Sequence, residues 1–183
     1  LLAHGADSNA RSSDSGSLAG VTPLLLAAGS GDTGLMRFLA ANGADPLVRT
    51  KRKLTLLQAA VGQNSDPLEE EKASALEAVK VAVEWGVDIN SAGDGGRTAL
   101  HDAARVGNSA VVHFLVERGA NLEARDTFGQ TPWNLASGVS SPACAASPVC
   151  SIQGNKQVIH DDTAELLVKL GAKPQVGPPA AKP

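Results

Sequence analysis

The stretch with the clearest structural pattern in this chain is DGGRTALHDAARVGNSAVVHFLVERGANLEARD, residues 94–126. It opens with Asp-Gly-Gly, continues through a Thr and an Ala-rich segment, and closes with an apolar segment and Gly119. Thr98 is suited to cap the N-terminus of a first helix, and Gly119 is suited to the left-handed position that ends a second helix. The stretch therefore predicts a unit of two helices with a turn before the first.

The same two markers recur through the chain at regular distances. The Thr marker has steps of 33, 43 and 33 residues, and stands at Thr22, Thr55, Thr98 and Thr131. An apolar segment followed by Gly and a small residue occurs five times, at Gly5, Gly43, Gly86, Gly119 and Gly171. From Thr to Gly the distance is 21 residues in two copies, 31 in a third and 40 in the last. The spacing indicates a 33-residue repeat with insertions of 10 and 19 residues between the two helices.

A unit of 33 residues reading Thr-Pro-Leu-His-x-Ala-Ala, then an apolar helix ending in Gly-Ala-Asp, resembles the ankyrin repeat over about residues 1–174. The resemblance implies an all-α solenoid, an ankyrin-repeat stack of helix–turn–helix units joined by β-hairpin-like finger loops. Residues 50–55 depart from the pattern because they lack the turn Gly, and only His101 keeps the marker His. The family uses that His to form hydrogen bonds within and between repeats.

The predicted organisation begins with the end of a truncated repeat, continues through four repeats and finishes with a Pro-rich tail. The expected segments are the tail of a truncated repeat at 1–7, ankyrin repeats at 17–49, 50–92, 93–125 and 126–174, and a Pro-rich tail at 175–183. The second repeat has an extended second helix, for which Asp66 is the predicted N-cap, Pro67 the first helical residue and Glu69 the third. The last repeat carries the 19-residue loop insertion. Because a repeat cannot bury its apolar face alone, we expect further repeats or another domain of the same chain before Leu1.

Composition and motifs argue against several function classes. Hydrophobic residues make up 43% and charged residues 19%, with a net charge of −3, so the chain lacks the footprint of a general nucleic-acid binder. No apolar run reaches the length of a membrane span. No nucleophile elbow, phosphate loop or paired metal-binding Cys motif is present, so no catalytic residue, metal or cofactor is predicted.

The resemblance implies a module that holds a partner protein with its finger tips and the concave face of its first helices. We expect contacts from Leu18, Val21, Lys51, Arg52, Asp94, Arg97, Arg105, Val106, Thr127, Phe128 and Gln130. Phe128 is the best anchor candidate, since aromatic residues are enriched among interface hot spots, although packing on the next finger is equally open. The basic residues 49 and 51–53 form either a solvated loop or a patch for an acidic partner. The alternative function is an accessory or assembly domain of a larger enzyme or surface complex whose active part lies N-terminal to this chain.

Cys144 and Cys150 are the only two cysteines, and both lie in the long loop insertion. Their proximity predicts a disulfide, which would place the protein in the periplasm or outside the cell, whereas free thiols would favour the cytoplasm. A weak metal site with His160 is the third interpretation, and it has no recognised ligand spacing.

Overall fold

The computed structural model describes residues 7–13, 19–62, 67–140 and 159–174 of the 183-residue chain. Within these ranges the regular structure is helical and no strand occurs. The α-helices are α1 (Pro23–Gly29), α2 (Thr33–Ala41), α3 (Leu56–Val61), α4 (Glu69–Glu84), α5 (Ala99–Arg105), α6 (Ser109–Glu117), α7 (Pro132–Ser137) and α8 (Asp161–Lys169), with a 3-10 turn at Asp94–Gly96. They form consecutive pairs of a first and a second helix, as the repeat pattern predicts.

Each first helix begins at its Thr marker. The Thr22, Thr55 and Thr131 hydroxyls accept hydrogen bonds from the backbone N–H three residues later, which would otherwise lack a partner. In α5 the same position is occupied by Thr98, which pairs with His101 in a capping box. The structure confirms that these threonines start the first helices.

Each second helix ends at a glycine with a positive φ. The φ angles are +86° at Gly43, +76° at Gly86, +89° at Gly119 and +108° at Gly171, all in the region that side chains disfavour. These values confirm the predicted helix ends. Gly5 lies outside the described residues.

Helix α4 is the extended second helix that the 10-residue insertion predicts. It contains 16 residues, against nine in α2, α6 and α8. The predicted N-cap at Asp66 is wrong, because the helix begins at Glu69 with Leu68 as the cap residue. The Glu71 carboxylate accepts a hydrogen bond of 3.0 Å from the Leu68 N–H. The helix start is therefore fixed by a carboxylate inside the first turn.

The core lies between the stacked pairs. Helices α1, α3, α5 and α7 contact one another in sequence order, and α2, α4, α6 and α8 do the same in a second layer. The alanine pairs Ala27–Ala28, Ala59–Ala60 and Ala103–Ala104 are all buried, which allows the first helices to approach closely. Larger side chains at equivalent positions, Leu24, Leu57 and Leu100, are 1% exposed and fill the space between layers. The boundaries proposed for the individual repeats stay predictions.

Candidate partner-binding surface

Three successive finger loops close on themselves in the same way. The backbone N–H of the first finger residue donates to the carbonyl four residues later, at 3.3 Å for Thr50 to Leu54, 2.8 Å for Gly93 to Arg97 and 3.0 Å for Asp126 to Gln130. The side chain of that first residue often adds a bond: Thr50 Oγ1 accepts from the Leu54 N–H at 3.0 Å. The fingers therefore hold a hairpin-like shape by local bonds.

Neighbouring fingers are also joined to each other. The Asp94 N–H donates to the Arg52 carbonyl at 3.1 Å, and the Thr127 N–H donates to the Gly95 carbonyl at 2.8 Å. Arg52 Nε lies 3.5 Å from Asp94 Oδ2. These contacts line up residues 51–53, 94–96 and 127–129 as one continuous strip, which we call the finger edge.

Charge on the finger edge is unevenly distributed. Lys51, Arg52 and Lys53 are all exposed at the first tip, while Asp94 is the acidic residue of the second tip. The Arg52 and Asp94 side chains are about two thirds exposed (67% and 66%), so solvent screens most of their attraction. The first tip therefore presents concentrated positive charge to the solvent.

Lys53 has a backbone conformation that glycine normally supplies. Its φ is +57°, whereas the equivalent residues of the next two fingers are Gly96 and Gly129, with φ of +73° and +70°. A residue with a Cβ costs about 1–2 kcal/mol in this left-handed region. The missing turn Gly of residues 50–55 is thus replaced by a lysine without a change of backbone shape.

The structure leaves some of the predicted contact residues accessible. Lys51, Arg52, Asp94 and Thr127 are exposed, and Arg97, Arg105 and Phe128 are half-buried. Leu18 lies outside the described residues.

Three further predicted contact residues are buried, so their side chains offer no surface to a partner. Val106 is 1% exposed because it continues the turn of α5 and lies above Ala103 and Ala99 on the buried face. Val21 is 7% exposed, and its backbone pairs with Ser12. Gln130 is 9% exposed, and its N–H donates to Asp126 Oδ1 at 2.9 Å. The predicted set is corrected by removing these three residues.

Arg97 contributes to the structure of the finger as well as to its surface. Its Nε lies 3.5 Å from Asp126 Oδ2, and the Asp126 side chain is fully buried. The other carboxylate oxygen accepts from the Phe128 and Gln130 N–H groups, each at 2.9 Å. Truncating Arg97 would leave a buried carboxylate without its cation, so a loss of binding there is not separable from a loss of stability.

His101 bridges two repeats, as the resemblance implies. Its Nδ1 accepts from the Thr98 N–H at 3.1 Å, and its Nε2 lies 3.1 Å from the Gln130 carbonyl oxygen in the next finger. Because a backbone N–H only donates, Nδ1 carries no proton and Nε2 donates. Burial lowers the pKa of His101, with the Gln130 hydrogen bond opposing that shift.

Two other residues take the place of His101 in the capping box. Gln58 is a bridging residue that the sequence pattern did not reveal, whereas Asn134 Nδ2 donates to the Val139 carbonyl, five residues later, at 2.9 Å. Gln58 Oε1 accepts from the Thr55 N–H at 3.3 Å, and its Nε2 donates to the Arg97 carbonyl at 3.1 Å. Asn134 Oδ1 accepts from the Thr131 N–H at 3.0 Å. The signal in the sequence is the Thr-x-x-Gln/Asn capping box.

The remaining candidate metal and thiol residues are placed as follows. His160 precedes α8, where its N–H donates to the Ala136 carbonyl at 2.9 Å and its ring lies against Gly107. Among the described residues no group of three or more His, Cys, Asp or Glu is placed to hold a metal ion. Cys144 and Cys150 lie outside the described residues, so their disulfide stays a prediction. None of the helices that are described combines the length and apolar character needed to cross a membrane.

Comparison with known proteins identifies the family. The family model for ankyrin repeats in three copies matches residues 24–126 and 71–145, which together span well over half of the chain. The chain therefore belongs to the ankyrin-repeat family, whose members are generally non-catalytic protein–protein interaction modules.

Similar proteins include a transient receptor potential cation channel subfamily A member 1 homolog of Caenorhabditis elegans, 32% identical over 64% of this chain and 9% of that protein. Mouse ankyrin repeat and SOCS box protein 16 is 32% identical over 63% of this chain and 25% of its own length. Chicken inversin is 35% identical over 40% of this chain and 7% of its own length. The chain thus spans between 7% and 25% of these three relatives.

Proposed function

We propose that this chain is a non-catalytic interaction module that holds a partner protein along the finger edge and the adjoining concave face of the first helices. Ankyrin repeats generally bind proteins, which supports the class of function. The particular surface is proposed from the contacts that join the three tips into one strip. The partner's contacting segment is acidic, because the first tip carries Lys51, Arg52 and Lys53.

The left-handed backbone conformation of Lys53 is the observation that supports this proposal most strongly. At φ +57° it is strained where the neighbouring fingers use glycine. Strain held at one exposed position points to a role outside the fold, since a glycine there would keep the same turn. Lysine keeps a cationic side chain at this position, which is exposed and adjoins Lys51 and Arg52 in sequence.

The experiment uses variants for which function and stability move in different directions. Lys53→Gly removes the charge and relieves the strain of about 1–2 kcal/mol, offset by about 0.4–1 kcal/mol from the greater freedom of glycine in the unfolded chain. We expect a melting temperature at or above that of the parent. Lys169→Ala is the matched control, because Lys169 is 75% exposed on α8, away from the finger edge.

Partner capture is measured by quantitative mass spectrometry with the immobilised chain as bait, followed by titration of the purified partner at low and high salt. Lys53→Gly and Arg52→Gln should each weaken capture several-fold and reduce its salt dependence, while Lys169→Ala leaves it unchanged. Equal capture by the parent and both finger variants would contradict the proposal.

A second candidate is an accessory or assembly domain of a larger protein. The small share of each relative that the chain spans favours it, as in the cation channel homolog, of which 9% is covered. In that case the partner captured by the finger edge would be another segment of the same full-length protein. Identifying the captured protein by its peptides separates the two candidates.

A further inference from the structure

A polar bridge recurs where the loop at the end of one repeat meets the loop at the end of the next. Asn9 Nδ2 donates to the Gly43 carbonyl and Asn9 Oδ1 accepts from the Asp45 N–H, each at 2.8 Å. Asn90 makes the same pair of bonds, donating to the Gly119 carbonyl at 3.0 Å and accepting from the N–H two residues after that glycine at 2.8 Å. Each asparagine therefore joins two neighbouring repeats.

The bridging residue stands four positions after a glycine marker, at residues 9, 47, 90 and 123. Glu123 also forms a bridge, since its Oε1 accepts from the Lys173 N–H at 2.8 Å. Position 47 is a leucine, whose side chain has neither donor nor acceptor, and it is 61% exposed. At this position, in contrast to the other three, an apolar side chain in solvent replaces a bridge between repeats.

Exposure alternates along the segment that leads from Leu47 into the first finger. Leu47, Arg49 and Lys51 are exposed, whereas Val48 is half-buried and Thr50 is buried. The segment contains no helix, and alternate residues of an extended chain point to the same side. The three exposed side chains therefore face the solvent from one side of the segment, and we call them the Leu47 strip.

The surroundings of the Leu47 strip are mainly cationic. Arg49 Nη2 donates to Ser91 Oγ, and the Arg49 carbonyl accepts from Arg11 Nη1 at 3.3 Å, so two guanidinium groups are held at the strip. The carboxylate nearest to Leu47 in sequence is Asp45, whose Oδ1 accepts from the Leu47 N–H at 2.8 Å. The strip thus combines one apolar side chain with an excess of positive charge.

We infer that the Leu47 strip binds a short extended segment of the partner that carries an apolar side chain, placed on Leu47, followed by carboxylates, placed on Arg49 and Lys51. The inference rests on the proposed function, because it adds an apolar residue to the acidic segment proposed for the first tip. Positive charge selects an acidic segment over a basic one. A position where the chain departs from its own structural pattern is expected at a functional site.

The length of the strip sets the length of the segment. From Leu47 to Lys51 an extended chain spans at most about 14 Å, so about five residues of one segment reach both ends. The apolar residue and the carboxylates therefore belong to one continuous stretch of the partner.

Peptide selection tests what the strip binds. The immobilised chain is used to select from a phage-displayed library of short random peptides. We expect the enriched peptides to carry a large apolar residue close to Asp or Glu. A synthetic peptide of the most enriched sequence is then titrated against purified variants.

Leu47→Asn is the decisive variant because its binding and its stability should move in opposite directions. Asparagine supplies the donor and acceptor that Asn9 and Asn90 use, so the melting temperature should rise by about 2–5 °C. The apolar contact is lost, so peptide affinity should fall by about tenfold.

Leu68→Asn is the matched control. Leu68 is 71% exposed and is the cap residue of α4, where its side chain makes no capping hydrogen bond. Asparagine is a preferred N-cap residue, so this variant should also raise the melting temperature. It should leave peptide affinity unchanged, since the start of α4 is not part of the Leu47 strip.

The outcomes separate this inference from the proposed function. Enriched peptides without an apolar residue, or peptides that bind Leu47→Asn as tightly as the parent, would overturn the inference. If Lys53→Gly still weakened such peptides, the proposed function would stand. Peptides without acidic residues, or no enrichment at all, would overturn both. A lower melting temperature for Leu47→Asn would show that position 47 is not an omitted bridge, and would also overturn the inference.

Discussion

Replacing His101 with leucine should destabilise the stack without changing its surface. The imidazole is fully buried, and its two nitrogens join Thr98 to the Gln130 carbonyl of the next finger. Leucine fills much of the space but makes neither bond. The orphaned Thr98 N–H costs about 1–3 kcal/mol and the lost inter-repeat bond about 0.5–1.5 kcal/mol, so we expect about 2–4 kcal/mol in total.

The chain supplies its own control for this substitution. Gln58 occupies the equivalent position one repeat earlier and makes the corresponding pair of bonds, to the Thr55 N–H and the Arg97 carbonyl. His101→Gln should therefore cost less than about 1 kcal/mol, within the range of a retained bond pattern. In melting temperature, the leucine variant should fall by about 5–15 °C and the glutamine variant by only a few degrees.

The pH dependence of the same position gives an independent readout. Burial lowers the pKa of His101 below its ordinary value of 6.5, so the unfolded chain takes up a proton before the folded chain does. The stability that depends on neutral His101 is complete above pH 6.5 and is lost as the pH falls through the lower folded value. Glutamine does not titrate, so the stability of His101→Gln relative to that of the parent should rise as the pH falls from about 7.5 to about 5.

Both readouts come from thermal melts followed by circular dichroism at several pH values. Equal destabilisation by leucine and glutamine would show that the hydrogen bonds are not what His101 contributes. A difference between the glutamine variant and the parent that does not change with pH would refute the assignment of a neutral, buried imidazole.

Three further outcomes are expected from single measurements. Ala103→Asp places a charge at a position with 0% exposure between first helices, and should abolish the cooperative melt; a single sharp transition near the parent temperature would contradict the stacking. Burial raises the pKa of Asp102, so its favourable contribution to stability is present at low pH and is lost as the pH rises through the folded value. The melting temperature of Asp102→Asn, relative to that of the parent, should therefore increase from about pH 3.5 to about pH 7. A difference that does not change with pH would contradict the raised pKa. The predicted disulfide requires that the native, unreduced protein takes up no alkyl groups at Cys144 and Cys150, and uptake of two would remove both the bond and the argument for an exported location.

The fold could be predicted from the sequence because its markers are local. Thr22, Thr98 and Thr131 cap the helices that follow them, and Gly43 and Gly119 end the preceding ones, through bonds and φ angles within a few residues. Such features depend little on the rest of the molecule. The capping pattern places the start of α4 at Pro67, two residues early, because the capping carboxylate comes from Glu71.

The contact surface was less predictable because exposure depends on how the units stack. Val106 and Arg105 are neighbours in sequence, yet Val106 points into the core and Arg105 is half-buried beside Asp102. Gln130 lies in a finger, but its N–H donates to Asp126 Oδ1 and its carbonyl oxygen accepts from His101 Nε2. Lys53 has a left-handed backbone because its finger has the same shape as two fingers that contain glycine at this position. Only the structure displays that shared shape.

Site-specific cross-linking tests the role of the finger edge most directly. A photo-reactive amino acid is placed at Thr127 on the finger edge and, as the comparison site, at Glu117 on α6; both positions are exposed. With the captured partner present, mass spectrometry should find cross-links from Thr127 and none from Glu117. Cross-links from Glu117 with none from Thr127 would contradict the account.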